Sequence, residues 1–315
     1  MKLRRRWIIL GAAAALAAVT FAAWYVWRPQ HRARRLVAEI ARYGQPPSRA
    51  EQWLIRLGLA KRPGTRRPAS IAWELATIGE PAVGPLTRGL RHQNRDVRIW
   101  SAHALGRMGP PARGAVAALA DALGDANAAV REQAAYALGK IRCPDDQAIA
   151  ALARSLKDPL RDVRIRSAWA LGEIGPAAKQ AVPSLLQPLS DPKSGCASAA
   201  ARALAQIRPT DEKAILGLCA ALNDQEFGPA SGYVSHWAAE ALTSIGPPAV
   251  PALIRTLEKE DASGEATYKA CQVLGRIGPL AKDAIPALTQ VLGDERPWVR
   301  GSAAQALGKI RGQGD

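Results

Sequence analysis

Apolar positions recur along most of this chain with a period close to 33 residues. Small and apolar residues alternate with polar ones in a short segment of each unit, and the segment ends on an apolar anchor residue. The anchors are Ile78, Met108, Ile141, Ile174, Ile207, Ile245, Ile277 and Ile310. One longer interval holds a small insertion around Phe227–Tyr233. A repeat at this period is typical of proteins built by stacking identical helical units.

A second apolar pattern, a trio spaced i, i+3, i+7, follows every anchor except the last. The first trio is Val83, Leu86 and Leu90. This spacing predicts one apolar helix face. Gly-Pro often separates the anchor from the trio, as at Gly109-Pro110, because glycine ends a helix and proline begins the next one. Each unit is therefore predicted to be a helical hairpin, made of a motif helix that ends at the anchor and a trio helix that follows it.

One such hairpin cannot bury its apolar face alone, so neighbouring hairpins are expected to stack. The predicted fold class is all-α: a right-handed α-solenoid of about seven to eight hairpins over residues 69–315, preceded by one transmembrane helix. The pattern (A/S)-A-x-A-L-G-x-I-G-P, followed by A-(V/I)-P-x-L, resembles the HEAT repeat, specifically the short type known from phycobilisome lyases. The resemblance implies the fold. It leaves the function open, because scaffolds, chaperones and a few enzymes share this repeat.

The segment before the repeats has a different character. Residues 7–27 contain no charge, and 21 residues in a helix span about 31 Å, which predicts a transmembrane anchor. A cleaved secretory signal is the alternative, because small residues such as Ala15 and Ala17 offer a cleavage site. The predicted organisation is a basic tail (1–6), the anchor (7–27), a basic juxtamembrane segment with short helices near 31–43 and 49–59 (28–68), and the solenoid (69–315). The predicted localisation is a single-pass membrane protein. The basic tail slightly favours an extracytoplasmic solenoid.

The net charge of +16 is concentrated near the N-terminus. Residues 1–68 carry 15 Lys and Arg against two acidic residues, whereas residues 69–315 carry 28 against 25. The basic stretch 28–42 is predicted to lie against anionic lipid headgroups. A solenoid so close to neutral makes nucleic acid an unlikely partner.

No pattern in the sequence indicates catalysis or a cofactor. Motifs for a nucleophilic serine, for a phosphate-binding loop and for a zinc-binding helix are absent, and the four Cys have no metal-ligand spacing. A HEAT-repeat enzyme that hydroxylates a modified lysine uses His-Glu pairs to hold iron, and this sequence contains no His-Glu dipeptide. Neither an enzyme, a metal nor a cofactor is predicted.

One face of the motif helices carries variable residues, at positions −8, −5 and −1 relative to the anchor. The resemblance implies that this face lies on the concave side of the solenoid. In the first four repeats it forms a predicted partner-binding strip of aromatic and cationic residues: Trp73, Trp100, His103, Arg107, Tyr136, Lys140, Arg166 and Trp169. Such residues dominate binding hot spots, and an extended peptide or an acidic segment of a partner suits them. The alternative is that the rings only pack between neighbouring helices.

A second series, Arg98, Arg131, Arg164 and Arg300, follows a valine at the start of four motif helices. In HEAT repeats such arginines usually form contacts between repeats, and ligand contact is the alternative. Taken together, the sequence predicts a membrane-anchored, non-catalytic scaffold that binds a protein partner. The alternatives are a nucleic-acid-binding solenoid and a lyase-type enzyme or accessory protein.

Overall fold

The helices of this protein form two layers, one of motif helices and one of trio helices. The computed structural model describes residues 29–43, 45, 48, 52, 66–191, 194–223, 234–259 and 263–312. The first helix, α1, covers residues 29–42. The motif helices are α2 (Pro68–Ile78), α4 (Arg95–Met108), α6 (Ala128–Ile141), α8 (Arg161–Ile174), α10 (Ala197–Ile207), α12 (Val234–Ile245), α14 (Glu265–Ile277) and α16 (Pro297–Arg311). The trio helices are α3 (Val83–Gly89), α5 (Val116–Ala122), α7 (Asp146–Ser155), α9 (Val182–Leu186), α11 (Glu212–Ala220), α13 (Val250–Leu257) and α15 (Ile285–Val291).

Stacking of neighbouring units confirms the predicted helical solenoid. Each motif helix packs against the next, and from α5 onward each trio helix also packs against the next. The core between the layers is made of Ala, Leu, Ile and Val from both kinds of helix, including the fully buried Leu105, Leu119 and Leu171. The alanines leave room for close helix approach, and the larger residues fill the space between layers.

The turn between motif helix and trio helix has the predicted chemistry. Gly109 and Gly175 end their helices with φ of 64° and 73°, values that glycine adopts at little cost. Proline then opens a short 3₁₀ turn, as at Pro110. Arg142 and Arg208 replace the glycine in two repeats and also have positive φ, at 53° and 55°. Their ψ values of 36° and 61° place them in the left-handed helical region, whereas Gly109 and Gly175 have ψ of −138° and −143°.

Three arginines of the series, Arg98, Arg131 and Arg164, join successive repeats, as the structural interpretation predicted. Arg98 donates from Nε and Nη2 to both oxygens of Asp125, at 2.7 and 3.0 Å, and Arg131 does the same to Asp158, at 2.7 and 2.9 Å. Each arginine also donates to backbone carbonyls in the turn that precedes its own motif helix. Because one guanidinium binds two adjacent turns, it fixes the spacing between them. Arg164 donates instead to the carbonyl oxygen of Ser194 at 2.9 and 2.6 Å.

These contacts keep the turn carboxylates ionised. Burial of Asp158 opposes its charge, but hydrogen bonds from Arg131 and from the Leu160 amide outweigh burial, so the pKa of Asp158 lies below its ordinary value. In the last repeat, hydrogen bonds from the Arg296 side chain, at 2.8 and 2.7 Å, lower the pKa of Asp294 to about 2.

Helix α1 packs against the first repeat instead of standing apart from it. Ala33, Leu36 and Ile40 are buried in the core, at the same i, i+3, i+7 spacing as the trio helices. Arg32 pairs with Glu74 on α2, and the Arg66 side chain binds the other oxygen of that carboxylate at 2.5 Å. The predicted helix near 31–43 is thus present. The one predicted near 49–59 lies outside the described residues, apart from residue 52.

The predicted transmembrane helix and membrane localisation require correction. Residues 7–27 lie outside the described residues, as do the insertion near 227–233 and the tail 1–6. Over the part of the chain that the structure describes, no helix is both long and apolar enough to cross a bilayer. The longest there, α16, has 15 residues and spans about 22 Å, against the roughly 30 Å of a hydrocarbon core. The structure therefore supports an all-α helical repeat solenoid, and it gives no support to the predicted transmembrane helix before it. The predictions of a single-pass, extracytoplasmic protein and of a lipid contact by 28–42 lose their support.

Candidate protein-binding surface

Four rings on three successive motif helices form a continuous row, which we call the ring ladder: Trp100, His103, Tyr136 and Trp169. Trp100 meets His103 edge to face, with ring centroids 5.4 Å apart. His103 stacks on Tyr136 at 6.3 Å, and Tyr136 stacks on Trp169 at 5.6 Å with an interplanar angle of 15°. These separations are those of favourable aromatic pairs. The register of the motif helices produces the row, because position −5 of one helix lies beside position −5 of the next.

Two cations of the predicted strip lie over these rings. Lys140 places its Nζ 5.8 Å from the centroid of Tyr136 and 5.5 Å from that of Trp169. The Arg166 guanidinium lies 5.6 Å from the centroid of Tyr136, and its Nε is 3.3 Å from Glu132. Both geometries are those of cation–π contacts. The structure thus brings six of the eight predicted strip residues into one cluster.

The other two predicted residues stand apart from the cluster. Trp73 is 56% exposed, and its ring has no aromatic partner in the described part of the chain. Arg107 is exposed on the same helix face as His103, and within the described ranges it forms no ion pair. The strip is therefore shorter and denser than predicted, and it begins at Trp100.

Each ladder ring is half buried, so it contacts both the protein and solvent. Two of the rings, Tyr136 and Trp169, rest on the motif glycine of the preceding repeat. A Cβ on Gly139 would lie 2.5 Å from Cζ3 of Trp169, and one on Gly106 would lie 3.2 Å from Cδ1 of Tyr136. Glycine at these positions lets the two rings lie against the neighbouring helix, and each ladder ring keeps part of its surface exposed to solvent.

Sequence reasoning missed the feature that continues the ladder, a pocket of about 390 Å³ beyond Trp169. Trp169 and Trp237 line it, together with Arg166, Arg202 and the small Ala199. Arg202 stacks on Trp237 at 5.2 Å from the ring centroid. Register counting places Arg202 at position −5 and Ala199 and Trp237 at position −8. The sequence signal for this pocket was Ala199, because it is the single alanine at position −8, where most repeats have a larger residue.

The described residues provide little chemistry beyond binding. No group of three or more His, Cys, Asp or Glu side chains among them could hold a metal ion. Burial raises the pKa of the Cys219 thiol to about 11 and that of Cys271 to about 12, so neither is an activated nucleophile. Glu240 pairs with both terminal nitrogens of Arg276, which lowers the pKa of that carboxyl.

Comparison with solved structures finds several helical repeat proteins. Kap121p superimposes with a TM-score of 0.55 at 12% identity, over 90% of this chain and 37% of Kap121p. An engineered protein gives a TM-score of 0.49 at 23% identity, over 89% of this chain and 84% of the other. The complex of CpcE and CpcF of phycocyanin lyase from Nostoc sp. PCC7120 gives 0.44 at 22% identity, over 73% and 94% of the two chains. These similarities concern the fold alone.

Comparison with curated proteins gives no match. The family model described as HEAT repeats matches residues 83–164, 149–230 and 250–315, which together make up more than half of the sequence. The matched ranges cover the stacked motif and trio helices on which the ring ladder and the arginine series lie. This chain therefore belongs to the HEAT-repeat family.

Proposed function

We propose that this protein is a non-catalytic scaffold that binds a protein partner through the ring ladder. The observation that carries the proposal is the unbroken row of four half-exposed rings with Lys140 and Arg166 over them. Aromatic and arginine side chains of this kind combine large apolar area with a polar or charged edge, and they contribute most of the energy at protein interfaces.

The rings are not needed for stacking the repeats, which favours binding over mere packing. From α10 onward the motif helices stack in the same register with polar residues at position −5: Arg202, Glu240, Gln272 and Gln305. Aromatic or imidazole rings occupy that position only in the first four repeats: Trp73, His103, Tyr136 and Trp169. A structural requirement common to all repeats would give the same residue type throughout.

Site-specific photo-crosslinking in the cells that make the protein tests the proposal. A photoreactive phenylalanine analogue replaces Tyr136 in one variant of the full chain and Trp298 in the other. Trp298 is the matched control, since it is an exposed aromatic residue on α16, far along the solenoid. We expect one discrete crosslinked protein from position 136 and none of that protein from position 298.

A second variant pair makes the result specific to the ladder. Lys140→Ala in the crosslinking variant removes a cation over the rings and should weaken the crosslink, whereas Lys309→Ala, at the equivalent position of α16, should leave it unchanged. Identical crosslinks from both positions, or no crosslink from position 136 in a folded protein, would contradict the proposal.

A further inference from the structure

The pocket beyond the ring ladder combines apolar and cationic lining residues. The indoles of Trp169 and Trp237 come from α8 and α12, the motif helices before and after α10, which contributes the small Ala199 and Ala203. Ser198 and Gln206 add polar groups to the lining. His236 contacts Trp237 edge to face at 5.4 Å. A volume of about 390 Å³ accommodates one or two side chains of a peptide.

The charge in this pocket is positive and incompletely balanced. Arg202 stacks on Trp237, and no carboxylate in the described ranges pairs with it. Arg166 is engaged by Glu132 through a single 3.3 Å contact. The lining residues include no acidic side chain. The pocket therefore presents one guanidinium with its donors available, beside a second that is partly neutralised.

The same imbalance extends along the face that carries the ladder. Its acidic residues are already paired: Glu132 with Arg166, Glu173 with Arg142 and Glu240 with Arg276. In contrast, Arg107, Lys140 and Arg202 have no acidic partner among the residues that the structure describes. The surplus cations lie on the motif helices α4, α6 and α10, so they are spread along the solenoid.

We propose that this pocket binds the carboxylate of an aspartate or glutamate in an extended acidic peptide segment of the partner. The carboxylate accepts hydrogen bonds from Arg202, an apolar neighbour of the acidic residue packs between Trp169 and Trp237, and the chain continues over Lys140 and the ring ladder. The inference rests on the proposed function, because the peptide belongs to the partner bound by the ladder. It adds the chemical class of that partner and the position of its anchor residue.

A carboxylate matches this pocket better than a phosphate group. The two arginines carry two positive charges, and Glu132 at the edge removes one. The remaining single charge balances one carboxylate, whereas a phosphate near pH 7 carries almost two negative charges. Arginine also binds a carboxylate through two parallel hydrogen bonds, which suits the planar guanidinium held against Trp237.

Selection from a library of short random peptides displayed on phage tests the inference with the full-length protein as bait. We expect the selected peptides to share one acidic residue beside an apolar or aromatic one. The best peptide is then labelled, and its affinity is measured by fluorescence polarisation. Replacing its acidic residue with the amide should weaken binding by about tenfold, the worth of one charge-assisted hydrogen bond. A phosphoserine version should bind no better than the acidic one.

Two variants of the protein probe the pocket in different ways. Arg202→Gln removes the charge, and Ala199→Leu fills the space without touching the charge; each should weaken peptide binding by about tenfold or more. Lys309→Gln is the control, because it removes an unpaired cation at position −1 of α16, outside the pocket, and should leave the affinity unchanged. Thermal melting checks that all three variants fold.

Several outcomes would overturn the inference. In the selection, these are a lack of any enriched peptide and enriched peptides without a shared acidic residue. In the affinity measurements, they are unchanged binding by the folded Arg202→Gln variant and tighter binding of the phosphoserine peptide. If the crosslink from position 136 persists in such a case, the scaffold function stands and only the binding of an acidic peptide in the pocket is rejected. If that crosslink is absent as well, the proposed function fails with it.

Discussion

The glycine of the repeat motif sets how closely two motif helices approach, and alanine substitution at two equivalent positions can measure this. Gly139 and Gly308 both lie two residues before an anchor, on α6 and α16. A Cβ on Gly139 would lie 2.5 Å from Trp169 and 2.9 Å from the Cα of Ala170 on the next motif helix. A Cβ on Gly308 would meet nothing within 4 Å. The two positions share their helical context and differ in what packs against them.

The expected magnitudes follow from that difference. Alanine is favoured over glycine inside a helix by about 1 kcal/mol, and this gain applies to both variants. Gly308→Ala should therefore stabilise the protein by up to about 1 kcal/mol. In Gly139→Ala the new methyl group must displace the indole and the backbone of α8, and overpacking of this kind costs about 1–3 kcal/mol. Because the helix preference cancels, the difference between the variants, about 1–3 kcal/mol, measures the helix contact alone.

Thermal melting followed by circular dichroism provides the assay. For a domain of this size, each kcal/mol shifts the melting temperature by about 2–4 °C. Gly308→Ala should melt above the parent protein, and Gly139→Ala should melt below Gly308→Ala by this margin. The fluorescence of Trp169 should also change in the Gly139 variant. Equal stabilisation by both substitutions would refute the argument that glycine is required for close helix approach.

Other predictions concern the turns and the thiols. Arg131→Ala should lower the free energy of unfolding by about 2 kcal/mol, because it breaks a half-buried contact between repeats. Arg300→Ala should cost less, because Arg300 donates to the carbonyls of Asp294 and Glu295 in its own turn; denaturant titration compares the two variants. The pKa of Asp294 is lowered to about 2, so its ionised carboxylate stabilises the folded protein. This contribution is complete above the unfolded-state pKa near 4 and is lost as the pH falls toward 2. Between about pH 4 and about pH 2 the melting temperature should therefore fall less steeply in Asp294→Asn than in the parent protein. In the folded protein at about pH 8, alkylation detected by mass spectrometry should modify the half-buried Cys143 and spare Cys271, whose pKa burial raises to about 12.

The repeat architecture was predictable from the sequence because its determinants are local and periodic. The anchor at Ile174 and the trio at Val182, Leu185 and Leu189 specify helix faces through spacing alone, and Gly175 marks the boundary between the two helices. Repetition then specifies the stacking, because each unit presents the same surface to the next. The same register correctly placed His103, Tyr136 and Trp169 on one side of the motif helices.

The N-terminal region illustrates where local pattern was insufficient. The arginines of residues 28–42 suggested a lipid contact, since the sequence gives charge but not the partner of each charge. In the structure Ala33, Leu36 and Ile40 face the core, and Arg32 pairs with Glu74, 42 residues further along the chain. Such a pairing depends on how the helix docks, which no local spacing encodes.

The tertiary structure alone decided which variable residues belong together. The sequence pattern predicted that Trp73 belongs to the strip and did not include Arg202 and Trp237 in it. In three dimensions Trp73 stands apart, whereas Ala199 opens a pocket that joins Trp237 to the ladder. The physical reason is that repeat spacing fixes which face a side chain occupies. Contact between side chains depends instead on their sizes and on the distance between neighbouring helices, which the motif glycines set.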